Sequence, residues 1–188
     1  SAWPDDPATG TENNIPIGEG ALASLEGGGN ENIGIGSNAG NAITTADYNV
    51  FIGKDAGTAI TTNSSNTAIG AFSLDANTGT SNTAIGFRAV SNAGSGNYNV
   101  GVGRETLYSS TSGSYNICVG YQAGYGLTTA GYNVAMGTFA MFDNTTDSYS
   151  TAVGYSSGRG DFLTGGTYLG GYAGHYVSMT LKPYTVMA

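Results

Sequence analysis

Residues able to do acid–base or nucleophilic chemistry are few in this chain, and they are scattered. His175 is the sole histidine and Cys118 the sole cysteine. Catalysis needs a convergent set of titratable groups. His175 lies in Gly174-His175-Tyr176 near the end of the chain, and no Ser or Cys nucleophile is paired with it by spacing. Asp143, Asp147 and Asp161 lie near loops without the Gly-Gly-x-Gly-x-Asp spacing of calcium-binding repeats. Gly27-Gly28-Gly29 has neither the strand–helix context nor the following Lys-Ser/Thr that a phosphate loop requires. The residues therefore predict no enzyme, no metal centre and no cofactor. A lone cysteine also excludes an intrachain disulfide. Cys118 stands where comparable segments carry Ala or Gly, which predicts a small packing residue.

Tyrosine carries a stronger signal. Tyr48, Tyr98, Tyr115, Tyr132 and Tyr149 each sit directly before an Asn, or before Ser150, that opens a recurring segment. Such a stripe could be an aromatic platform for a sugar or partner. It could equally be cross-coil stacking, which contributes roughly 0.5–1.5 kcal/mol per aromatic pair.

The element that positions these tyrosines is a repeat. Asn32-Ile33-Gly34-Ile35-Gly36 returns in frame at Asn49, Asn66, Asn82, Asn99, Asn116 and Asn133. An early copy begins at Asn14, and the frame degrades at Ser150-Thr151-Ala152-Val153-Gly154 and at Thr167-Tyr168-Leu169-Gly170-Gly171. Starts are 16 to 18 residues apart, a register that random Gly and Asn richness would not keep. With the opening Asn counted as position zero, positions one and three share a face of an extended strand. Position three reads Ile35, Ile52, Ile69, Ile85, Val102 and Val119, and is expected to be the buried ladder. Position one is largely β-branched and suits the same face. Position two is small or apolar (Gly34, Phe51, Ala68, Ala84, Cys118) and would then form an outward, sticky surface with Phe72, Phe87, Tyr121, Phe139 and Tyr155 nearby. Gly at position four permits a corner. A small residue three further on (Ala39, Ala56, Ala89, Ala123) suits a narrow interior. Asn32, Asn49, Asn66, Asn82, Asn99, Asn116 and Asn133 are expected to form a structural ladder of amides.

A second short extended stretch follows in each unit, as at Ile43-Thr44-Thr45, Ile60-Thr61-Thr62 and Leu127-Thr128-Thr129, and ends in turn residues. No apolar pattern of helical period is present, so almost no helix is expected. All four prolines avoid the central units. The fold class is thus all-β: a parallel β-solenoid of about ten 17-residue coils over residues 14–176. Coils spaced by the distance between paired strands make a rod roughly 48 Å long. Residues 1–13 form a polar N-terminal segment, and 177–188 leave the repeat as a capping or joining strand.

Composition agrees. Leu, Ile, Val and Phe make up under a fifth of the 188 residues and charged residues only 10%, too little for a wide globular core. The net charge is −8, and no Lys or Arg precedes Lys54. An acidic surface argues against nucleic acid as a partner. No apolar run approaches the length of a membrane span. A chain that opens at Ser1 without Met is expected to be a processed product or an excised segment.

Asn66-Thr67-Ala68-Ile69-Gly70, Asn82-Thr83-Ala84-Ile85-Gly86 and Asn116-Ile117-Cys118-Val119-Gly120-Tyr121-Gln122-Ala123-Gly124 resemble the N-T-A-I-G-x-x-A repeats of phage and bacterial fibre proteins. They are also similar to the head repeats of YadA-like trimeric autotransporter adhesins, whose repeat is usually shorter. The resemblance covers about residues 14–175. It implies a β-roll or β-solenoid, often trimeric, on a cell surface or virion fibre. The function expected is a non-enzymatic structural subunit of an extracellular fibre or filament, with itself as partner in a trimer or head-to-tail filament. The alternative is a receptor- or glycan-binding segment of a tail fibre or adhesin.

Overall fold

The computed structural model describes residues 13–25, 27–92, 94–160, 164–175 and 186–187. Ten three-residue strands, one per repeat, stack in chain order: β1 (Ile15–Ile17), β2 (Ile33–Ile35), β3 (Val50–Ile52), β4 (Thr67–Ile69), β5 (Thr83–Ile85), β6 (Val100–Val102), β7 (Ile117–Val119), β8 (Val134–Met136), β9 (Thr151–Val153) and β10 (Thr167–Leu169). Each pairs in parallel with the next, like position on like position. The molecule is a β-solenoid, and no helix occurs among the described residues.

The rest of each coil is bound to its neighbours without forming a regular sheet. Backbone N–H groups of Leu22, Gly40, Thr44 and Thr128 donate to Ala39, Ala56, Thr61 and Thr145 of the following coil. The corner glycines of position four hold φ near +130°, as at Gly70 and Gly120, a region open essentially only to glycine. A Cβ on Gly70 would stand 2.6 Å from the Gly86 carbonyl oxygen of the next coil. Neither the bend nor the coil spacing admits a side chain there.

The strand faces are the reverse of those expected from hydrophobic pattern. Position two is buried, with Phe51, Ala68, Ala84, Cys118, Ala135 and Ala152 fully shielded. Positions one and three point outward: Ile69 and Ile85 are each 37% exposed, and Ile35, Ile52, Val102 and Val119 are only half-buried. The expected sticky surface at position two is therefore interior wall. Volume decides the matter. A Cβ on Gly34 would lie 2.8 Å from Leu22 Cγ, and one on Gly101 would lie 2.7 Å from Val90 Cγ2. The opposite wall already fills the narrow interior, so the strand can offer it only a small side chain. Phe51 is accommodated because glycines lie around its ring, and a Cβ on Gly40 or Gly57 would come within 2.7 Å of it.

That opposite wall follows a rule of its own. In six coils one large side chain comes from position eight or position eleven. Where position eight is Gly40, Gly57 or Gly124, position eleven is the buried Ile43, Ile60 or Leu127. Where position eight is the buried Leu74, Leu107 or Met141, position eleven is Asn77, Ser110 or Asn144. The small residue at position seven is buried as expected, at Ala39, Ala56, Ala89, Ala123 and Ala140.

At the C-terminal end the frame differs from the expected one by a residue. Thr167 pairs with Thr151, so Gly166 is the opening position of that coil and Tyr168 its interior residue. A further strand, β11 (Val186–Met187), pairs in parallel with Tyr168–Leu169 and closes the stack as an eleventh rung. The N-terminal segment 1–12 and residues 176–185 lie outside the described residues.

Candidate interaction surfaces

The opening asparagines build an internal ladder. The Oδ1 of Asn32 accepts from the backbone N–H of Asn49 at 3.0 Å, and Asn49 Oδ1 accepts from the N–H of Asn66 at 2.9 Å. The same bond recurs through Asn82, Asn99, Asn116 and Asn133 to Ser150. Most Nδ2 groups in turn reach a carbonyl that closes their own coil, as from Asn32 to Ala46 at 2.7 Å and from Asn116 to Ala130 at 2.8 Å, whereas Asn49 Nδ2 donates back to Asp47 at 3.1 Å. These amides are fully buried, so none of them is offered to a ligand. One side chain thus ties the coil behind, the coil ahead and the end of its own turn.

Tyr98, Tyr115, Tyr132 and Tyr149 line up as the sequence predicts. Their ring centroids are 4.8–5.0 Å apart, with planes 7–14° from parallel. Each backbone is left-handed, with φ between 56° and 62°. That bend throws the ring outward, leaving the side chains 47–64% exposed. A sugar packs on an aromatic face, but in this stack the faces cover one another and mainly edges and hydroxyls meet solvent. Tyr48 stands apart, 60% exposed, because Glu31 and Ser65 hold the same position in the coils beside it.

A second aromatic file was not singled out from the sequence: Tyr108, Tyr125 and Phe142 stack at 5.2 and 5.0 Å. Their spacing of 17 residues was the available signal. Burial pushes the Tyr125 phenol above its ordinary pKa. Across the corner lie Phe72, Phe87, Tyr121, Phe139, Tyr155 and Tyr172 in edge-to-face contacts. Lys54, Arg88, Arg104 and Arg159 gather on the same arc. Lys54 Nζ lies 5.2 Å from the Phe72 ring centre, Arg88 lies 5.3 Å from Phe87, and Arg104 lies 5.4 Å from Phe87. Arg159 sits 4.9 Å from Phe142 and pairs with Asp143 at 2.9 Å. Cation–aromatic contacts at exposed sites contribute about 0.5–1 kcal/mol each. Glu105 is held below the usual carboxylate range by the Gln122 amide at 2.7 Å and by Arg104 at 3.2 Å, against the opposing effect of burial.

The groups considered for chemistry are not brought together. Cys118 is fully buried, and burial raises its thiol pKa far above the ordinary value. That environment disfavours a thiolate nucleophile. His175 packs edge-on against Tyr172, with ring centres 5.5 Å apart. Asp143 and Asp147 both belong to the coil of β8, whereas Asp161 is outside the described residues. Among the described residues no three His, Cys, Asp or Glu side chains are grouped to hold a metal ion. No described helix is long and apolar enough to cross a membrane.

The fold and surfaces define a repeat protein of the β-solenoid class. No family model, no curated protein and no solved structure matches the chain.

Proposed function

We propose that this chain is a non-enzymatic structural subunit of an extracellular or surface fibre, growing through contacts between solenoid ends. The observation that carries this is the uninterrupted parallel ladder from β1 to β11. A parallel stack is polar. Among the described residues β1 and β11 are its terminal strands, each with one unpaired edge, and free edges are templates for another strand. The likeness of the repeat to fibre proteins points the same way. So do the contacts between coils: the opening asparagines bind neighbouring coils, Tyr98, Tyr115, Tyr132 and Tyr149 stack on one another, and Lys54, Arg88, Arg104 and Arg159 rest on rings.

Electron microscopy of the purified protein over a concentration series tests the reading. Filaments whose length grows with concentration are expected. Rods that stay near the ~48 Å length of a single stack at every concentration would overturn it.

A further inference from the structure

The outward face of the sheet is unlike the rest of the surface. Its two files, positions one and three of ten consecutive coils, carry only Ile, Val, Leu, Met and Thr. No charged residue interrupts either file, and both run in register along the whole repeat stack. Ile17 is 49% exposed and Met136 43%. Soluble proteins rarely leave contiguous apolar patches larger than a few hundred Å² open to water.

We propose that this face packs against the same face of a second copy of the chain, with the two rods antiparallel. This deepens the fibre reading, on which it rests for its purpose, by naming a lateral contact in addition to the contacts at the ends. Area supports the choice of partner. The flat part of the face is about 13 Å wide and about 43 Å long, from the strand rise and the coil spacing. Two copies then cover roughly 1,100 Å² in total, just above the ~1,000 Å² that a specific interface should clear. The exposed tyrosine edges that flank the face add to this. The chemistry of the files also suits a dry contact: position three has no hydroxyl in any coil, so water or a sugar gains few hydrogen bonds there.

Charge selects the orientation. Glu19 and Glu31 are exposed at the margins of the face in the first two coils, Asp47 lies close by, and no cation precedes Lys54. Parallel rods would set the Glu19 margin of one copy against the Glu31 margin of the other, acid against acid. An isologous two-fold axis across the rod sets them against the neutral Tyr149 and Gly171 margins of the last coils.

The test uses the full chain below the concentration at which filaments form. Light scattering is expected to give twice the 18.9 kDa chain mass. Ile69→Lys with Ile85→Lys places two buried, unpaired charges in the contact, and should raise the dimer Kd more than about tenfold while leaving the circular dichroism unchanged. Thr67→Lys with Thr83→Lys serves if the first pair alters the fold. A wild-type monomer at all concentrations, or folded variants as dimeric as wild type, overturns the proposal and gives the face to another occupant. Orientation is read with a bismaleimide reaching about 10 Å, the sheet-to-sheet distance. Thr83→Cys near the middle of the rod should cross-link, and Ile33→Cys near one end should not, with the buried Cys118 silent in both. Equal cross-linking at the two sites would rule out antiparallel packing. The fibre reading fails separately, through absent end-to-end growth in microscopy, and that result leaves the dimer mass untouched.

Discussion

Asparagine at the opening of strands β1 to β8 is a polar side chain in a narrow, otherwise apolar interior, and it is tolerated there because its Oδ1 and Nδ2 both find backbone partners. The same confinement explains which strand residues face inward. Ala84 is fully shielded, whereas its neighbour Ile85 is 37% exposed. An aspartate at 84 would bury an unpaired carboxylate, at a cost of about 3 kcal/mol or more. The larger change in size and hydrophobicity, Ile85→Asp, should cost roughly 1 kcal/mol or less, since the new carboxylate keeps its water. Urea unfolding of the two variants in dilute solution checks this, and equal losses would return position three to the interior. The asparagine ladder and the tyrosine stripe were legible in the sequence because spacing alone places like on like. The inward face was not, since alternation says that two faces differ without saying which one has room.

At the scale of the coil, the interior is filled by exchange between two positions. Gly124 with Leu127 and Leu107 with Ser110 are two solutions to one volume in adjacent coils. The polar version has a cost: Ser110 Oγ, Asn77 Nδ2 and Asn144 Nδ2 are buried without a hydrogen-bond partner among the described residues. Asn77 is partly compensated, since its Oδ1 accepts from the Gly79 N–H at 2.6 Å. The signal for this exchange is present in the sequence as an anticorrelation, Gly–Ile against Leu–Asn, and a search for a single hydrophobic period passes over it. Gly124→Leu alone should overpack the coil, because even a Cβ would stand 2.5 Å from Cys118 Sγ and 3.0 Å from Leu127 Cδ1. Adding Leu127→Ser should restore much of the loss. A double-mutant cycle is expected to give a favourable coupling of more than about 1 kcal/mol, and additive effects would show that the two positions are independent.

Across the whole molecule, stability is the sum of coils that each touch only their neighbours, so the ends decide behaviour that the middle cannot. Pro16 lies in β1, and the ladder tolerates it there because, among the described residues, β1 has a strand on one side only. The other end is finished by β11, whose backbone pairs with Tyr168 and Leu169. Sequence composition marked 177–188 as leaving the repeat and offered two roles, cap or joining strand. The pairing within one chain puts β11 in the capping place, where it moves the free edge from β10 to itself. Deleting Val177–Ala188 should therefore leave β10 as the terminal strand, with an aromatic interior residue, Tyr168, one layer nearer to water. Burial holds the Tyr168 phenol pKa above its ordinary value. A spectrophotometric titration of the truncated chain should then show one tyrosine returning toward the ordinary value as that shielding is lost. Hydrogen exchange should quicken in β9 and β10 while β3 to β7 keep their protection. Edge association should rise in the same sample, because the exposed β10 is a full three-residue template where β11 offered two residues. Unchanged exchange at β9 and β10, with an unchanged size distribution by light scattering, would show that β11 contributes nothing to the closure of the rod.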